Sequence, residues 1–142
     1  MMIILAKTHL SKIKEHAIDC YPYECCGAML GSIDNDKKVV SEIVEIKNES
    51  DEDQRRRFKI TAADYQKLEQ LAHDKKCDLL GFYHSHPDHP AIPSKTDEAY
   101  GWPFFSYIIL SIEKKEPQEC LSYIFDFDQQ AFNAEDILIK EE

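Results

Sequence analysis

The segment that most constrains the fold lies mid-chain, in Leu79-Leu80-Gly81-Phe82-Tyr83. This short apolar run reads as a buried strand, and a buried strand requires a sheet with other elements packed on it. Pro87, Pro90 and Pro93 follow closely and force the next segment to be a loop. Upstream, Leu10, Ile13, Ala17 and Ile18 share one face of a helix from about Thr8 to Asp19, which Pro22 helps to end. Gly27 to Ile33 reads as a strand, Asp34-Asn35-Asp36 as a turn and Val39 to Ile46 as a second strand, with Phe58 to Ile60 a short third. Thr61 and Asp64 have capping-box spacing at the start of a helix whose apolar stripe is Leu68, Leu71 and Ala72. Ser94 to Asp97 opens a short helix ending near Gly101. Strands are expected at Ser106 to Ile112 and Cys120 to Phe127, with Ile137 to Ile139 as a final edge strand. This mixed order predicts an α/β (α+β) fold, a single domain over residues 1–142 in which helices pack on a sheet.

Charge narrows the range of partners. Asp and Glu number 27 against 17 Lys and Arg, a net charge of −10. Such a chain has little general affinity for phosphate backbones and is repelled by anionic membrane surfaces, so neither nucleic acid nor membrane is an expected partner. The most polar stretch, Asn48 to Arg57, reads as an exposed loop. No apolar stretch approaches the ~18 residues of a membrane span, and the run Met1 to Lys7 is too short and lacks the basic start of a signal peptide. Five cysteines, Cys20, Cys25, Cys26, Cys77 and Cys120, are an odd number without an export signal, which argues for reduced thiols and a cytoplasmic location.

The chemistry concentrates in His84-Ser85-His86, directly after the buried strand. Side chains alternate along a strand, so His84 and His86 point the same way. Two adjacent imidazoles suit a divalent transition metal, zinc foremost. Asp97 follows His86 across the proline-stiffened loop and is positioned to return as a third, oxygen ligand. Three protein ligands with an open fourth position are the catalytic rather than the structural zinc pattern. Glu24, in Tyr23-Glu24-Cys25-Cys26-Gly27 where a helix gives way to a strand, is the candidate general base, and Ser94 a candidate donor to an oxyanion. The reaction these residues suggest is amide hydrolysis. Taken singly each has a plainer reading. Ser94 and Asp97 also have capping-box spacing, and one oxygen of Asp97 is not expected to serve fully as both cap and ligand.

Glu24, His84-Ser85-His86-Pro87, Ser94 and Asp97 together resemble the JAMM (MPN-plus) metalloprotease motif: a distant Glu, a His-x-His, ten intervening residues with a Ser three before the end, and an Asp. The N-terminal helix, Asn48, Arg57-Phe58 and Gly81-Phe82-Tyr83 extend the resemblance to small, single-domain prokaryotic members. It implies a curved mixed β-sheet flanked by helices, and one zinc held by His84, His86 and Asp97. It implies Glu24 as general base and Ser94 as oxyanion donor. It also implies a substrate, a ubiquitin-like or sulfur-carrier protein cleaved after its C-terminal tail, and is compatible with a homodimer. The tail is expected to enter as an extended strand added to a sheet edge.

Rival readings are weaker. A non-catalytic scaffold of the same fold would usually lack a ligand. A zinc deaminase needs His-x-Glu and Cys-x-x-Cys, neither of which occurs at this position. His89 is the rival ligand, but between Pro87 and Pro90 it is expected to line the cleft or face solvent. His9, His16 and His73 are expected at the surface, Cys25 and Cys26 as small packing residues, and Trp102 and Phe104-Phe105 as core or cleft wall.

Overall fold

A computed structural model describes residues 2–47, 60–99 and 101–141. The expected loop at Asn48 to Arg57, and all but Ile60 of the expected strand at Phe58 to Ile60, lie outside the described residues; Ile60 itself is not in a strand. The elements are β1 (Met2–Ala6), α1 (Lys7–Cys20), β2 (Cys26–Asp34), β3 (Lys37–Ile46), α2 (Ala62–Asp74), β4 (Asp78–Pro87), α3 (Lys95–Ala99), β5 (Ser106–Glu113), β6 (Glu116–Asp126) and β7 (Ala131–Lys140). The strands close into a barrel in the order β1-β3-β2-β4-β5-β6-β7. Pairings of β1 with β3, β1 with β7 and β4 with β5 are parallel and the rest antiparallel, so the sheet is mixed as expected. No described helix is long and apolar enough to cross a membrane.

Two strand expectations are corrected. β7 is not an edge strand, because it pairs with β6 on one side and with β1 on the other. β1 itself lies in the N-terminal apolar run, to which the sequence patterns assign no element. Its signal is hidden because Ala6 serves at once as last strand residue and N-cap of α1, so no turn residue separates them. Its Ile3 and Leu5 are fully buried. Closure also leaves none of these strands with a wholly free edge, which confines any added substrate strand to strand ends.

Two apolar clusters lie on opposite faces of the central strands. One joins Ile13 and Ala17 of α1 to Leu5, Met29, Leu80, Tyr83, Ile108 and Leu110. The other joins Leu68 and Ala72 of α2 to Ala28, Leu30, Leu79, Phe82 and Tyr107. Thr61 and Asp64 form the expected reciprocal cap of α2. The pairing of β2 with β4 skips Leu80, a bulge that sets which face each later β4 residue takes. From there Phe82 faces α2 and Tyr83 faces α1. By alternation His84 and His86 share the face of Phe82. All of β4 after Asp78 is buried.

Candidate metal centre

β4 carries His84 and His86 to its C-terminal end, and α3 brings Asp97 to meet them. Among the described residues these three form a group whose ligand atoms all lie within 4.8 Å of one another. His84 Nε2 and His86 Nε2 are 3.1 Å apart. Asp97 Oδ1 lies 3.3 Å from His84 Nε2, and Oδ2 3.1 Å from His86 Nε2. His86 Nδ1 lies 2.9 Å from the Pro90 carbonyl oxygen. Nε2 in turn lies 3.1 Å from Asp97 Oδ2, so each ring nitrogen of His86 faces an oxygen that only accepts.

Electrostatics favour the ligand-competent forms. Burial pushes the His84 pKa below its ordinary value, against the opposing pull of Asp97. Burial would raise the Asp97 carboxyl, but His84, His86 and the Ser94 N–H outweigh it and hold the group well below the usual carboxylate range. The result is an ionised carboxylate beside a neutral imidazole. Two imidazole nitrogens and a carboxylate oxygen crowded at hydrogen-bond distance, away from water, are a borderline donor set that a zinc ion fits.

Ser94 and Asp97 cap α3 reciprocally. The Ser94 N–H donates to Asp97 Oδ2 at 2.8 Å, and the Asp97 N–H to Ser94 Oγ at 3.1 Å. The same Asp97 oxygen, Oδ2, thus receives the cap and lies 3.1 Å from His86 Nε2. Oδ2 has two lone pairs, and its position receives the cap while facing His86. Ser94 is exposed, and because Oγ accepts in the cap, its O–H proton remains to donate.

Glu24 lies between α1 and β2 and is buried, at 4% exposure. Cys26 pairs with His84, and the Ser85 N–H donates to the Cys25 carbonyl. Glu24 therefore precedes, by one residue, the Cys25 that is tied to the residue between the two histidines. Ser85 Oγ accepts from the Cys25 N–H at 2.9 Å and fixes this corner. Glu24 is not part of the three-donor group.

Several contacts were not legible in the sequence. Tyr21 Oη donates to the Asp88 carboxylate, which also accepts the Lys114 N–H. Ser111 Oγ donates to the His89 carbonyl, and Tyr123 Oη to the Ala91 carbonyl. Ser111 did leave a signal, as a polar residue inside an otherwise apolar strand. His89 is exposed and His73 is exposed, as expected, while Cys25 and Cys26 are buried. His16 is not at the surface: it is 8% exposed and its Nδ1 lies 2.7 Å from Tyr83 Oη. His9 is half-buried, its Nδ1 accepting the Ala6 N–H. Trp102 and Phe104 are not core or wall but project into solvent. Phe104 has φ 76°, and Lys38 Nζ, itself buried, donates to its carbonyl, so the backbone is held in and the ring turned out. Phe105 is half-buried against Phe82.

Residues 6–124 match the family described as prokaryotic homologs of the JAB domain. A protein of Haloferax volcanii named desampylase is 32% identical over 103 residues, 72% of this chain and 72% of that protein. The solution structure of a protein from Desulfitobacterium hafniense matches with a TM-score of 0.86 at 28% identity, covering 100% of this chain and 94% of that one. Another from Salinibacter ruber has a TM-score of 0.74 at 34% identity, over 99% and 92% of the two chains. The crystal structure of a JAB1/MPN domain protein from Archaeoglobus fulgidus, with a TM-score of 0.59 at 19% identity over 97% and 99%, shares the fold.

Proposed function

The chain belongs to the prokaryotic JAB-domain family, and from that premise we propose that it is a zinc-dependent isopeptidase. Its reaction is hydrolysis of the amide bond that follows the C-terminal tail of a ubiquitin-like or sulfur-carrier protein. The observation that carries this reading is the convergence of His84, His86 and Asp97 on one point, with the buried Glu24 two residues before Cys26, the β2 partner of His84. The resemblance to a protein named desampylase supports a ubiquitin-like substrate.

His84, His86 and Asp97 would hold one zinc per chain. The metal would supply a Lewis acid that polarises the amide carbonyl and acidifies a water molecule. Glu24 takes that water's proton on its carboxylate and returns it to the leaving amine. Glu24 is buried, which restricts its side chain and spares the reaction part of the entropy of finding a base. Ser94 donates its O–H to the oxygen on which negative charge develops. The reading locates the enzyme in the cytoplasm, in keeping with five cysteines free of disulfides.

Elemental mass spectrometry of the purified protein should find one zinc per chain, and His86→Ala should lose it. Glu24→Gln should keep the zinc and lower turnover of a ubiquitin-like fusion roughly 10²–10⁴-fold. Full turnover by Glu24→Gln would remove Glu24 from the mechanism. A wild-type chain that takes up no zinc when it is supplied would remove the mechanism altogether.

A further inference from the structure

We propose that the exposed rings of Trp102, Phe104 and Phe127 form a docking surface for the folded body of the carrier protein whose tail enters the metal centre. This deepens the isopeptidase reading and rests on it. Trp102 is 67% exposed, Phe104 83% and Phe127 63%. Single exposed apolar residues are ordinary, but the fold gathers these three. Gly101 seats against the ring of Phe125 on β6, and Phe125 meets Phe127 edge-on with ring centroids 6.4 Å apart. The Trp102 N–H donates to Tyr107 Oη, which fastens the same loop to β5. Phe104 stands at φ 76°, a conformation that bulky side chains rarely adopt. It is held there from inside, where the buried Lys38 ammonium donates to the Phe104 carbonyl at 2.6 Å and to Ser106 Oγ at 2.8 Å. A buried charge thus fixes a ring that adds nothing to the core, and strain of this kind is kept where an outward role uses it.

Position and charge select the occupant. Tyr107, the anchor of Trp102, packs its ring 5.9 Å from that of Phe82, and Phe82 shares its face of β4 with His84 and His86. The rings therefore lie on the metal's side of the sheet. Lys38 ties Phe104 to Ser106, whose β4 partner is Gly81, five residues before His86. At ~3.3 Å per residue that separation is about 16 Å, the reach of an extended tail of about five residues. A body seated on the rings is thus at tail's length from the metal centre. Asp126 and Asp128 flank Phe127 in the chain, and the whole molecule carries a net charge of −10. A second copy packed face to face would set these carboxylates against their own kind. A carrier with an apolar patch rimmed by Lys or Arg is complementary to them.

The test uses the full-length protein and two substrates bearing the same fluorogenic amine on a C-terminal Gly-Gly. One is a short tail peptide and the other a whole sulfur-carrier protein of ubiquitin-like fold. Wild type should show a lower KM for the carrier than for the peptide. Trp102→Ser and Phe104→Gly should each raise KM for the carrier on the order of tenfold, and KM for the peptide far less. Glycine takes φ 76° without strain, so Phe104→Gly should melt no lower than wild type, which separates lost docking from misfolding. Asp128→Lys should raise KM for the carrier a few-fold, as should added salt. Leu138→Ser, at an exposed apolar position on β7, is the control and should shift neither KM. Equal wild-type KM values, or variant shifts that are absent or the same for both substrates, overturn the docking surface while the isopeptidase reading stands. So does a wild-type dimer in light scattering that Trp102→Ser and Phe104→Gly dissolve, because a second copy then covers the rings. Cleavage of neither substrate by wild type removes the isopeptidase reading, and the docking surface with it.

Discussion

His16 shows how much a single side chain's surroundings matter. It packs edge-on against Tyr83 within the α1 core, with Glu45 and Asp19 the nearby charges. Burial lowers its pKa below the ordinary 6.5, only partly offset by those carboxylates. Between that lowered value and 6.5 the unfolded chain therefore binds more protons than the folded one. The stability this neutral histidine contributes is fully present above 6.5 and is lost as pH falls through the window. His16→Gln should cost about 1 kcal/mol at neutral pH through the weakened bond to Tyr83, and should flatten the acid loss. Urea unfolding of both proteins at about pH 8 and about pH 5.5 measures this; equal losses would clear His16 of the effect. The sequence did not reveal this residue, since a histidine on a helix is mostly a surface residue and only the bulk opposite it decides. The grouping of His84, His86 and Asp97 was legible for the opposite reason. Strand alternation binds His84 to His86 locally, and Asp97 returns over a loop short enough for its spacing to be informative.

The central strands lie so close together that small residues are required between them. A Cβ on Gly81 would collide with the Ser106 carbonyl across the parallel pairing of β4 with β5. Gly81→Ala must therefore spread the two strands just upstream of His84. A destabilisation on the order of 3 kcal/mol is expected, readable by thermal unfolding, and weaker zinc uptake should accompany it. Thr61→Ala, which removes a cap whose bonds run to Asp64 rather than to any of the three donors, should cost about 1 kcal/mol and leave zinc uptake intact. Equal effects of the two variants on zinc would mean that strand spacing does not govern the site. α1, α2 and the main strands were readable because their apolar periods and caps are local. β1 was not, because a strand that passes into a helix with no turn leaves one merged apolar run. β7 was placed at an edge because closure depends on a partner more than a hundred residues away in sequence.

At the scale of the molecule, the barrel is held by its own ladders and by two apolar clusters on opposite faces of the sheet. The candidate metal site sits at the end of one strand rather than at the centre of either cluster. On the proposed zinc reading, removing the metal should thus lower the melting temperature by the linkage of binding alone, leaving far-ultraviolet dichroism unchanged. Collapse of the strand signal in chelator would instead make the metal a structural element, as it is in small zinc domains.

The parallel seam between β1 and β7 also bears on how the barrel is made. As synthesis proceeds, β1 gains β3 early, but its other flank has no partner until Ala131–Lys140 emerges. Contacts so distant along the chain form late and slowly. A nascent chain halted before β7 would hold two bare strand flanks, those of β1 and β6, and so be prone to self-association until its last strand arrives.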